Sequence, residues 1–373
     1  MGGRSFVMED SNLLLRTSVS VDNTVCDVRL GNLVVERLSR DLRLLVGRPR
    51  NVCFIYNNDI TSELYELIER QLIVASFTIT YIPLDTNTHS DIDNAMLALS
   101  KFGEAGITKD DIVVAVGDTK LLSIANFVCS NWMRSIKLVG IPTNYSAVFE
   151  GIVFPRLLSI DGLERLGQTS SYRLCLVDSS ICRHIDVKDK NLSYAYIYKY
   201  SLIDGMDAFN EFRQSIDSID EIDTYLEVLN NSLRSISSIY GTGVIADRLA
   251  LEYGDICSSA LMKLVDGLDK ASALSMSYRF LSRISAAKEF CDIEFVLEQD
   301  HLLDSLGLID LGCIVDSNSL FNTIKETKFL LSNRFMLTLP YRPGRVRMSL
   351  VEDDMLQEHC DAWCKYHQVL LNS

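Results

Sequence analysis

Several things are scarce or missing in this chain of 373 residues, and each absence removes a class of function. Basic residues fall short of acidic ones, 36 against 50, and the formal charge of −14 argues against a surface built for nucleic acid or anionic membrane. Any anion site is confined to a local pocket. No apolar run approaches the roughly 20 residues of a membrane span, and residues 1–16 lack the apolar core of a signal peptide. A cytoplasmic protein, with neither nucleic acid nor membrane as partner, is expected. The ten cysteines show no repeated spacing and are too dilute for a disulfide scaffold, so reduced thiols are the simpler reading. Gly-x-Ser-x-Gly, Walker and zinc-finger spacings are absent, and classical hydrolase and NTPase readings gain nothing. Proline is scarce too: none stands between Pro155 and Pro340 to interrupt a helix.

What is present is apolar: 47% of the residues are hydrophobic and 23% charged, too much chain for one ordinary core and too apolar for disorder. Short apolar strands at 51–56, 77–83, 111–117 and 137–142 alternate with amphipathic segments at 61–70, 91–102 and 121–132. That alternation predicts a covered parallel sheet. From Leu192 to Ala287 the pattern is almost wholly helical. A hairpin over 335–350 and a helix over 353–371 follow. The fold class expected is α/β plus α, with a Rossmann-like domain over 1–178 and a mainly helical domain over 179–373.

Within this frame Asp111-Ile-Val-Val-Ala-Val-Gly-Asp-Thr-Lys120, Asn126-Phe-Val, Trp132-Met-Arg134 and Gly140-Ile-Pro-Thr143 follow one another in a familiar order. Cys175-Leu-Val-Asp178, Ala195-Tyr-Ile-Tyr-Lys-Tyr-Ser-Leu-Ile203, Arg248-Leu-Ala-Leu-Glu-Tyr-Gly-Asp255 and Asp269-Lys-Ala-Ser-Ala-Leu-Ser-Met276 continue it. Together, over roughly residues 50–340, they resemble the dehydroquinate synthase family, the sugar phosphate cyclases. The resemblance implies a two-domain cyclase with NAD on the α/β domain, a divalent metal on the helical domain, and a phosphorylated sugar substrate.

Residue by residue, much of that machinery is replaced. The family's three metal ligands, a Glu and two His, fall on Tyr196, Asp255 and Asp269, which removes the nitrogen ligands zinc favours. Two carboxylates suit a harder ion, but both also read as solvated residues flanking helices, and no metal ligand is assigned. The triple glycine falls on Gly117, Asp118 and Thr119. These are the cofactor-binding candidates, although Asp118 is suited to cap the helix itself and occupy donors a pyrophosphate would use. No cofactor is expected on this reading, with NAD as the alternative.

Cations are better kept. The resemblance places Arg134, Arg156 and Lys328, with Thr143 and Asn144, toward a substrate, and Lys199 and Arg248 at the catalytic positions. A phosphorylated or carboxylated small molecule fits such a set, and separate surface ion pairs are the competing explanation. Glu164, Glu252 and Ser259 stand where other substrate contacts would be. The expectation is a chain that has lost metal- and NAD-dependent cyclase chemistry, a repurposed enzyme or a non-catalytic partner in carbocycle or natural-product biosynthesis. It would be a homodimer, or a heteromer with an active relative. The alternative is an active cyclase, a carbon–oxygen lyase, on a phosphorylated sugar.

Two further groupings carry less. Cys360, Cys364 and His367 share one helical face, readable as three soft metal ligands or as packing beside Trp363. Cys175 and Cys182, with His184 nearby, form a weak nucleophile–base arrangement.

Overall fold

The computed structural model describes residues 13–21, 24–48, 50–160, 163–182 and 186–371. The chain forms two compact units, Met1–Ile185 with Ile219–Asn230, and Asp186–Ser218 with Asn231–Ser373. The division thus falls at Ile185/Asp186 rather than after Asp178, and a short later segment joins the first unit. Asp186 caps the first long helix of the second unit, which gives the break its place. Among the described residues no helix is long and apolar enough to cross a membrane.

The first unit is built on a seven-stranded sheet in the order β1-β2-β9-β6-β5-β3-β4. These strands are β1 (Leu14–Val21), β2 (Thr24–Gly31), β3 (Asn51–Asn57), β4 (Thr78–Leu84), β5 (Ile112–Gly117), β6 (Lys137–Pro142) and β9 (Tyr172–Asp178). Only β1 runs antiparallel, paired with β2; the remaining pairings are parallel. A small antiparallel pair, β7 (Leu158–Ile160) and β8 (Leu163–Leu166), stands apart. Strand β5 is buried along its whole length, as a central strand covered on both faces must be.

Helices α1 (Leu38–Val46), α2 (Ser62–Val74), α3 (Asp91–Glu104) and α4 (Thr119–Asn131) flank the sheet strands in sequence. Three start at side-chain caps: Thr61 accepts from Leu64 N–H, Ser90 from Asp93 N–H and Asp118 from Leu121 N–H. Val52, Phe54, Ile68, Leu72, Val114 and Val116 belong to one buried cluster that joins sheet and helices. At the end of β9, the buried Asp178 carboxylate accepts from the backbone N–H groups of Leu33, Val35 and Ser180, tying that strand end to the turn after β2.

The second unit is helical apart from the hairpin β10 (Leu337–Arg342) and β11 (Arg345–Ser349). Its helices are α5 (Val187–Asp204), α6 (Met206–Ser215), the latter part of α7 (Ile222–Gly241), α8 (Ile245–Ala250), α9 (Asp255–Leu264), α10 (Lys270–Ala287), α11 (Ile293–Ser305), α12 (Ser317–Phe329) and α13 (Asp353–Leu371). Helix α5 is buried without a break from Ser193 to Ile203, so it lies inside the bundle rather than on its surface. Its Tyr198 hydroxyl donates to Gln299 Oε1 at 2.7 Å, and the Gln299 amide donates to the Tyr278 carbonyl and Ser282 Oγ. These hydrogen bonds give the buried Tyr198 hydroxyl and Gln299 amide their partners, as burial requires.

Candidate functional site

In open parallel sheets, ligands bind beyond the carboxyl ends of the strands. In the first unit β5 and β6 end together there: Thr143 N–H donates to the Gly117 carbonyl at 3.0 Å. A Cβ on Gly117 would lie 2.9 Å from Leu121 Cδ2, so the glycine is required for packing of its own helix. Asp118 Oδ1 accepts from Leu121 N–H at 2.9 Å. The cap therefore forms as expected, yet it takes one of the four unpaired N–H groups of a helix start. Asn144 Oδ1 is buried there without a hydrogen-bond partner.

Arg156 lies beside the same strand ends. Its guanidinium is 3.3 Å from Asp91 Oδ2 and 3.5 Å from Glu164 Oε1. Asp91 also meets Lys120 Nζ at 3.7 Å and accepts from Ser159 N–H at 2.9 Å. These groups line an open hollow of about 780 Å³ with Ser90 and Asp93. Asp91 and Lys120 are missed by sequence reasoning. Lys120 ends the quoted Gly-Asp-Thr-Lys run, but nothing in the sequence marks Asp91 as buried rather than as a first-turn acidic residue.

Arg134 is not brought to this place. It follows α4 in a turn where Met133, Arg134 and Ser135 all have positive φ, is exposed, and precedes β6 at the opposite end of the sheet from Gly117 and Thr143. The β-strand direction dictates this, because α4 starts at the carboxyl edge and must end at the other.

In the second unit the cations converge on the corner between α8 and α9. Lys199, from the buried helix α5, places Nζ 3.0 and 2.9 Å from the two Asp255 carboxylate oxygens. Lys328, from α12, donates to Glu252 Oε2 at 2.9 Å. Both lysine side chains are almost completely buried, while both carboxylates are partly exposed. Gly254 stands between the acids with φ +86, and a Cβ there would lie 2.5 Å from Tyr278 Cε1, so the corner is fixed by backbone as well as by charge. Arg248 lies over the Tyr240 ring, 4.9 Å from its centroid.

The residues at the family's metal positions are otherwise engaged. Both Asp255 oxygens face Lys199. Asp269 caps α10, its oxygens accepting from Ser272 N–H at 3.0 Å and Ser272 Oγ at 2.9 Å. Tyr196 is buried in a stack with Tyr200. These three positions do not fit a metal of the family's kind, and among the described residues no group of three His, Cys, Asp or Glu side chains is arranged to hold one. That applies equally to Cys360, Cys364 and His367. Burial pushes the Cys364 thiol up to about 12 and the Cys360 thiol higher still, while His367 bonds to the Trp363 carbonyl and Asp310. The packing explanation accounts for them. Cys175 and Cys182 are buried as well, burial pushes the Cys175 thiol far up, and His184 lies outside the described residues.

No family model matches the chain. It is 20% identical over 358 residues to the 3-dehydroquinate synthase of Synechococcus sp. (strain CC9605), covering 91% of this chain and 94% of that protein. Among solved structures it is similar to 2-deoxy-scyllo-inosose synthase complexed with carbaglucose-6-phosphate, NAD+ and Co2+, with a TM-score of 0.80 at 14% identity over 93% of this chain and 99% of the other. The 2-epi-5-epi-valiolone synthase of Streptomyces hygroscopicus subsp. jinggangensis 5008, with NAD+ and Zn2+ bound, gives a TM-score of 0.78 at 14% identity, with 93% and 99% covered. These likenesses correct one expectation. The expectation of no cofactor rests on substituted residues alone, whereas the similar synthases hold NAD+ with a divalent metal. At the β5–α4 turn the Asp118 cap leaves further helix-start donors in place, so the substitution there does not amount to loss of a nucleotide.

Proposed function

We propose that this divergent, dehydroquinate synthase-like member of the sugar phosphate cyclases has given up phosphate elimination and ring closure. It serves carbocycle biosynthesis as a partner subunit, as a homodimer or beside an active relative. One observation carries the reading: Lys199 and Lys328, at positions where the family resemblance puts substrate-facing cations, are each closed by a carboxylate of the chain's own α8–α9 corner. A phosphate arriving there meets lysines already paired with carboxylates, and binding requires that it displace those carboxylates. The site rather than the fold carries this reading, since one fold hosts several chemistries.

The competing reading is an active cyclase, a carbon–oxygen lyase, on a phosphorylated sugar. It is favoured by the retention of Lys199, Arg248 and Lys328 themselves. The double variant E252N/D255H separates the two. On the closed-site reading, titration with a heptulose phosphate gives no saturable heat with the wild-type chain and a measurable affinity with the variant. Tight binding by the wild type, weakened in the variant, supports the active lyase instead. NAD+ titration measures nucleotide binding as a separate property.

A further inference from the structure

Away from the lysine pairs, the helical unit holds a hollow of about 230 Å³ walled by α10 and α13. Its volume is below the roughly 300–1,000 Å³ typical of drug-sized ligand sites, which suits a single substituted ring. Phe280 and Trp363, both buried, supply flat apolar walls, and half-exposed Tyr366 stands at the rim. The Trp363 wall is held rigidly. Its ring stacks on His367 with centroids 3.7 Å apart, and His367 is fixed by the Trp363 carbonyl at 2.8 Å and Asp310 Oδ1 at 3.0 Å.

The polar side of the hollow carries two arginines. Arg279 and Arg283 line it, and they divide one carboxylate between them: Asp300 lies 3.3 Å from Arg279 Nη1 and 2.7 Å from Arg283 Nη2. The second partner of Arg279, Asp304, is 53% exposed and screened by water. Asp310 lines the hollow but is engaged by His367. Burial lowers the pKa of the lining His359, which disfavours its charged form.

From this combination we propose a binding site for a small aromatic monocarboxylate, the ring held between Phe280 and Trp363 and the carboxylate on the half-exposed Arg283 guanidinium. Arg283 holds Asp300 with one short and one 3.4 Å contact, so a ligand oxygen can replace the longer one without breaking the pair. The site lies wholly within the helical unit and does not rest on the reading of the lysine corner.

The test is ligand-observed NMR and calorimetry on the full chain with benzoate, benzamide and benzylamine as probes. Saturable binding of benzoate is expected, at least tenfold weaker binding of benzamide, and none of benzylamine. R283Q should weaken benzoate at least tenfold. A362W, which places a large ring at an exposed lining position of α13, should abolish binding while near-UV circular dichroism shows an intact fold; should that variant misfold, R283Q alone decides. Equal binding of the three probes, no saturable benzoate binding, or benzoate affinity unchanged in R283Q overturns the assignment.

Discussion

Lys199 Nζ and the Asp255 carboxylate meet in a two-oxygen ion pair at 3.0 and 2.9 Å, linking the interior helix α5 to the start of α9. The lysine is 2% exposed and the aspartate 44%. Removing the acid strands a buried ammonium, whereas removing the ammonium returns a half-exposed acid to water. D255N should therefore cost about 1–3 kcal/mol, less than the ~3–5 kcal/mol of a fully buried pair, and K199M less than D255N. Urea unfolding of both single variants and the double variant measures the coupling. Equal, additive losses would contradict the pairing.

Asp91 is the anchor of the first unit's hollow, holding Arg156, Lys120 and Ser159 N–H. D91A leaves a partly buried N–H without its acceptor and two cations without their shared carboxylate. A loss of about 2–3 kcal/mol in urea unfolding is expected. The variant should also bind inorganic phosphate more tightly than the wild type by calorimetry, because Arg156 and Lys120 lose the carboxylate they share.

Asp111 fixes the starts of β3 and β5. Burial alone would raise its pKa, but Thr108 N–H, the Thr108 hydroxyl and Asn51 N–H donate to it at 2.8, 2.9 and 3.1 Å and hold the pKa below the usual carboxylate value. A depressed folded-state pKa gives stability that is fully present above the unfolded value of about 3.9 and is lost as pH falls through the lower folded value. Urea midpoints followed from about pH 6 down to about pH 2 should fall more steeply for the wild type than for D111N. Parallel curves would show that the carboxylate contributes nothing.

All ten cysteines are free, and nine are buried, with Cys291 intermediate. Burial raises the thiol pKa at Cys26, Cys53, Cys129 and Cys257, so thiolate is scarce in the folded chain. Thiol titration at neutral pH should label Cys291 slowly and the others only on unfolding, reaching ten per chain in denaturant without reductant. Rapid native labelling of Cys175 or Cys182 would revive a catalytic thiol.

Much of the α/β unit is legible because its segments obey one period at a time. Val113, Val114 and Ala115 can only be a covered strand, and the amphipathic segments at 61–70 and 91–102 are the helices α2 and α3, which the structure caps with Thr61 and Ser90. The β1–β2 hairpin is passed over in the sequence although Val19 and Val21, with Cys26, Val28 and Leu30, alternate inward. The site is less legible. Substitution at Glu252 and Asp255 is visible in the resemblance, but their lysines lie 76 and 56 residues away, and only the packing of α5 and α12 joins them. Arg134 fails for the related reason that motif order does not report which end of a sheet a residue occupies.

The central claim, that the chain no longer eliminates phosphate and closes a ring, is tested most directly by phosphate release from a panel of heptulose phosphates with NAD+ and either Co2+ or Zn2+ supplied in excess. The account predicts no release above the protein-free background for the wild-type chain. Catalytic release of phosphate from any member of the panel, abolished in K199M, would contradict it.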